Sequence, residues 1–212
     1  MDRRKALRNI GLSAGFMAAS PGLLSILQSC TTDQNTWVPQ TLTPEQGAVL
    51  RGVVDVILPK SDTPSASEVN VPEFIDKFVG SAMTIDEQKL FIFSLDGLVG
   101  NLKSEYGNIE KISSEEYEAY LTKHLREAAK NEETHNAAIN SYSEAIKNGE
   151  PVVGDPAAIS FSSLAKIREM AVFAYKNSEM VGEQVLPYLP VPGGYTGCGS
   201  LEELTGGKAW SL

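Results

Sequence analysis

The chain has 212 residues, 18 of them Lys or Arg and 27 Asp or Glu, for a formal net charge of −9 at pH 7. An acidic balance of this size argues against nucleic acid and anionic membrane surfaces as partners, because both recruit proteins through positive charge. With only two cysteines and 42% apolar residues, the fold must rest on a hydrophobic core, and the chain is long enough to build one.

The cations are unevenly placed. Arg3, Arg4, Lys5 and Arg8 precede an uncharged stretch from Ile10 to Cys30, which is diluted by Gly, Ala and Ser and broken by Pro21-Gly22. A basic start, a weakly apolar middle and a small-residue end describe an export signal rather than a membrane span. We read residues 1–29 as that signal. The order "RRKAL" resembles a twin-arginine signal carried by Arg3, Arg4 and Leu7, and an ordinary secretory start that contains two arginines is the alternative. "LQSC" resembles a lipobox, so Cys30 is the expected lipidated residue of an exported, membrane-anchored protein in the periplasm. With Cys30 lipidated, Cys198 has no partner for an intrachain disulfide. Residues 30–41 are polar and read as a tether.

Residues 42–212 read as a single all-α domain of about six helices. In "LTPEQGAVLRGVVDVILP", Thr43 is placed to cap, Pro44 suits the first helical position and Gln46 completes a capping box. Val49, Val53 and Val56 form a stripe flanked by Leu50, Val54 and Ile57, and Pro59 ends the helix. After a turn-rich loop, "VPEFIDKFV" predicts a short helix with Phe74, Ile75, Phe78 and Val79 facing inward. Thr84 and Glu87 open a longer helix to about Tyr106 with Phe91, Leu95, Leu98 and Leu102 as its seam. Ser113 and Glu116 open another, through Tyr117, Leu121, Leu125 and Ala128. A further amphipathic stretch lies near 135–147, marked by Ile139, Tyr142 and Ile146. The last strong helix carries Leu164, Ile167, Ala171 and Ala174.

The C-terminal stretch is different in kind, because Pro187, Pro190, Pro192 and a run of glycines forbid long regular structure. It nevertheless carries Tyr188, Leu189, Tyr195, Leu201 and Trp210, which are costly to leave in water. This segment is expected either to wrap the bundle or to pack against a partner. Tyr188, Leu189, Tyr195 and Trp210 are the candidate partner interface.

Little in the chain suggests chemistry. "GLSAG" (Gly11–Gly15) satisfies a nucleophile-elbow pattern, but it lies in the signal and no strand precedes it. "GGYTGCG" lacks dinucleotide-binding spacing, and there is no C-x-x-C knuckle or haem-attachment motif. His124 reads as a helix-packing residue with one satisfied nitrogen, His135 as a solvated helix start, and Cys198 as a small residue in a tight turn. These residues give no catalytic, cofactor-binding or metal site to predict in this chain.

Three stretches together resemble the gluconate 2-dehydrogenase subunit 3 family: "LTPEQGAVLRGVVDVILPKSDTPSASEVNVPEFIDKFV" (42–79), "YKNSEMVGEQVLPYLPVPGGYTGC" (175–198) and "GGKAW" (206–210). The resemblance implies a small subunit with no assigned catalytic role. It also implies a large flavoprotein partner of the glucose-methanol-choline type that holds FAD and oxidises a sugar, sugar-acid or glycoside hydroxyl, often with a cytochrome c carrying haem. In such a pair the small subunit supplies the export signal. Two other classes stand beside this expectation. One is a free-standing binding or scaffold lipoprotein. The other is an enzyme in its own right, which would need His124, His135 or Cys198 to converge with acids in one cleft.

Overall fold

The computed structural model describes residues 37–189, 193, 194, 196 and 198–211. It shows seven α-helices and no strand among them: α1 (Pro44–Ile57), α2 (Val71–Ser81), α3 (Ile85–Tyr106), α4 (Ser114–Leu121), α5 (Glu132–Asn148), α6 (Pro156–Lys176) and the five-residue α7 (Leu201–Thr205). No helix of the described residues is long and apolar enough to cross a membrane.

Three helices start where local chemistry places them. In each capping box a hydroxyl accepts the backbone N–H three residues on, and the side chain there accepts the cap's own N–H. Thr43 pairs with Gln46 at α1, Thr84 with Glu87 at α3 and Ser113 with Glu116 at α4. Asp155 caps α6 by accepting the Ala158 N–H at 2.8 Å, with Pro156 in the first turn. That start lies earlier than the apolar spacing alone indicates.

Helix α6 is the centre of the domain and packs on α3, α5, α1 and α2. It buries Ala158, Ile159, Phe161, Leu164, Ile167, Met170, Ala171 and Ala174, more than one face of a surface helix could hold. The predicted seams of α1 and α3 meet it: Val49, Leu50, Val53 and Val54 are sealed, as are Leu95, Leu98 and Leu102. Two close approaches depend on glycine. At Gly52 the Tyr117 ring of α4 occupies the space a Cβ would need, and at Gly97 the Ile159 side chain of α6 does so at 2.6 Å.

Three expectations are corrected. Phe74 points to the edge of α2 and is exposed, while Ile75 and Val79 carry the burial with Pro72 and Val71. Between α4 and α5 the chain never leaves a helical path: a π-helical turn (Thr122–Glu127) is followed by a 3-10 turn (Ala128–Asn131). The wide turn and then the tight one re-aim the chain without Gly or Pro. Finally, Tyr120, which lies off the predicted stripe of α4, is among the largest fully buried side chains.

Candidate functional site

The export-signal residues Arg3, Arg4 and Leu7, the lipidation candidate Cys30 and the interface candidate Tyr195 lie outside the described residues. The other three interface candidates are in view. Tyr188, Leu189 and Trp210 are 51%, 54% and 44% exposed, and Leu201 and Leu204 of α7 are exposed beside them in sequence. Their segment closes on its own beginning. The Ser211 N–H donates to the Pro187 carbonyl at 3.0 Å, and Lys208 Nζ donates to the Val185 carbonyl at 3.0 Å. The backbone is thus tied down while the large apolar side chains stay open to solvent.

A second apolar cluster sits on the bundle. Phe74 stacks on Phe78 with ring centroids 5.8 Å apart and meets Phe173 of α6 at 6.1 Å, and Phe74, Phe173 and Val172 are all exposed. Aromatic residues grouped at a surface are a common mark of an interface. The periodicity of α2 signals these rings as apolar but assigns Phe74 to the core.

The point at which the N-terminal stretch joins the bundle is held by a residue that sequence patterns do not single out. Asp76 of α2 is 1% exposed, and its carboxylate accepts the N–H groups of Gln40 at 2.7 Å, Thr41 at 3.0 Å and Leu42 at 2.9 Å. Three charge-assisted bonds compensate its desolvation. Gln40 and Thr41, read as the end of a tether, are therefore tied to the fold. No sequence signal marks this clamp, because acceptor and donors lie 34 to 36 residues apart.

A few polar side chains form a network in and beside the core. Tyr120 OH and Ser160 Oγ are 2.8 Å apart in the core, and Asn101 Nδ2 donates to Ser160 Oγ at 2.9 Å and to the Pro156 carbonyl at 3.0 Å. His124, within the π-helical turn, stacks on Tyr120 with centroids 4.2 Å apart. Its Nε2 is buried without a hydrogen-bond partner, and Glu105 Oε2 is 3.9 Å away. Packing is therefore its role as expected, although that nitrogen is not satisfied.

Burial pushes the His124 pKa down, and Lys123 adds to this while Glu105 opposes it. Burial also raises Tyr120, against the hydrogen bond from Ser160, and lifts Tyr117 to about 12. These phenols are structural hydroxyls, neutral across the physiological range.

His135 is buried rather than solvated, packed against Phe161 at 5.1 Å. The helical path that continues into α5 turns it onto α6. Cys198 is free and exposed. Among the described residues no group of three or more His, Cys, Asp or Glu side chains could hold a metal ion.

The class that emerges is an all-α domain whose distinctive features are outward-facing apolar clusters and a fastened N-terminal junction. The chain belongs to the gluconate 2-dehydrogenase subunit 3 family, whose sequence model matches residues 44–193, from the first turn of α1 through α6 and into the C-terminal segment. It is accordingly an accessory subunit of a dehydrogenase complex. No curated protein and no solved structure matches it.

Proposed function

We propose that the chain is the non-catalytic small subunit of a periplasmic FAD-dependent dehydrogenase of the glucose-methanol-choline type. Its work is the folding, export and anchoring of the catalytic flavoprotein, which acts on a sugar, sugar acid or glycoside. The observation that carries this reading is the family match over 44–193, together with the Arg3-Arg4 pair that precedes an uncharged stretch and a lipobox-like Cys30. FAD, and haem where a cytochrome c joins the complex, belong to the partner chains. Tyr188, Leu189, Tyr195 and Trp210 form the surface offered to the flavoprotein, and the exposure of Tyr188, Leu189 and Trp210 supports that assignment.

Arg3→Lys with Arg4→Lys tests the escort role, because lysine keeps the charge but not the guanidinium fork. The change should strand the FAD-loaded partner in the cytoplasm although the partner is unaltered, as read by periplasmic dehydrogenase activity with an artificial acceptor and by immunoblot. Normal periplasmic levels would reject the escort role and favour a free-standing binding lipoprotein. Cys30→Ser should in turn release the complex from the membrane fraction.

A further inference from the structure

A half-enclosed groove of about 420 Å³ lies between the end of α2, the first half of α3, the middle of α5 and α6. Its lining is apolar in the main, with Phe78, Leu90, Phe91 and Ile139, while Ser94, Ser162 and Ser163 add hydroxyl-bearing residues. That volume falls within the range of roughly 300–1,000 Å³ typical of small-molecule sites. A second observation separates it from a packing defect. Ser163 of α6 lines the groove and is 2% exposed, and its Oγ is buried without a hydrogen-bond partner. Leaving a buried hydroxyl unpaired is unfavourable, and Ser163 is one of the residues that form the groove wall.

The charges at the rim narrow the choice. Lys166 is paired with Glu169 at 2.9 Å, and Glu87 accepts both the N–H and the hydroxyl of Thr84, at 2.9 and 2.7 Å. The two charged side chains that line the groove are opposite in sign and already partnered, so an ionic group carried in to Ser163 would stand unpaired among Phe and Leu side chains.

We propose that this groove binds a neutral, mainly apolar small molecule whose carbonyl oxygen accepts a hydrogen bond from Ser163. This site is independent of the escort role, and either can fail without the other. Two sources share this chemistry, a straight acyl or alkyl carbonyl compound and a fused-ring ketone or quinone.

The test is a calorimetric titration of the full chain, without detergent, using 2-decanone, 2-acetylnaphthalene, decane and decanoate in turn. The methyl resonances of Met83, Leu90 and Ile139 are followed in parallel. At least one ketone should bind and shift those methyls, with decane about threefold to tenfold weaker and decanoate no tighter than the ketone. Ser163→Ala should bring the ketone down to the level of decane, leave decane unchanged and keep the thermal midpoint at or above the parent value. Ile139→Trp should close the groove to all four probes. The stronger ketone identifies the source as chain or ring. The proposal is overturned if neither ketone shifts the groove methyls, if Ser163→Ala leaves ketone affinity intact, or if decanoate binds most tightly.

Discussion

In α6, Leu164, Ile167 and Ala171 are sealed from solvent, whereas in the segment that follows Tyr188, Leu189, Leu201 and Trp210 are each about half exposed. Both regions are apolar by composition, so composition does not explain the difference. In α6 the apolar residues recur at helical spacing and present a continuous surface that α1, α3 and α5 can cover. In the tail, Pro187 and the glycines break any periodicity, so no single face collects the large side chains. A few backbone hydrogen bonds fix the tail's path, notably Ser211 to Pro187. The bundle buries its apolar area against itself, and the tail leaves much of its own open to solvent.

The largest effect expected from this contrast is in the bundle. Leu164→Ala removes a fully buried side chain at the centre of α6 and should cost about 2–5 kcal/mol. Each kcal/mol corresponds to roughly 2–4 °C in thermal midpoint for a domain of this size. A loss no greater than that of a surface substitution would mean that α6 is not the centre of the core.

Next comes the junction. Asp76→Ala orphans three N–H groups and should cost about 1–3 kcal/mol. Limited proteolysis should then cut near residues 38–42 sooner than in the parent. An unchanged cleavage rate there would show that the clamp does not hold the junction.

Trp210→Ala should behave oppositely to Leu164→Ala. Because Trp210 is half exposed, the substitution should change the stability of the isolated chain by no more than about 0.5 kcal/mol, as read from its thermal midpoint. The chain's affinity for the dehydrogenase partner should fall by about tenfold or more, as for an aromatic residue at an interface. A fall in stability with unchanged affinity would reverse the comparison between bundle and tail.

The smallest effect concerns acid. The folded pKa of His124 lies below its ordinary 6.5, chiefly through burial. In the window below 6.5 the unfolded chain binds a proton that the folded chain does not. The contribution of neutral His124 is therefore complete above pH 6.5 and is lost as pH falls through the folded pKa. His124→Gln should flatten the dependence of the thermal midpoint on pH between about 7 and 5. An unaltered slope would assign acid sensitivity to other groups.

Much of the bundle is legible in the amino-acid sequence, and particular residues show why. Thr43 with Gln46, Thr84 with Glu87 and Ser113 with Glu116 close hydrogen bonds within three residues, so the chain determines these helix starts locally. The seams through Leu95, Leu98 and Leu102 and through Leu164 and Ile167 follow from helical periodicity alone. The family resemblance is legible too, in the Ile-Leu-Pro and Pro-Gly stretches at the two ends of the domain.

Other features depend on which surfaces meet. Phe74 and Ile75 are neighbours in sequence and equally apolar, yet α6 and α1 cover only Ile75 fully. His135 has the sequence surroundings of a solvated helix start, but the π-helical and 3-10 turns before it rotate α5 and set its ring on Phe161. Asp76 has the pattern of an ordinary helix-surface acid, and Ser163 that of an ordinary helix serine. One is a clamp because a distant segment brings three N–H groups to it, and the other is a buried hydroxyl left unpaired because no partner is brought to it. The sequence by itself determined most of the helices, the three capping boxes and the main apolar seams, since those interactions close within one or two turns. Only the tertiary structure decided which polar groups are satisfied and which apolar ones stay exposed, because burial is a property of the surfaces that the rest of the chain brings into contact.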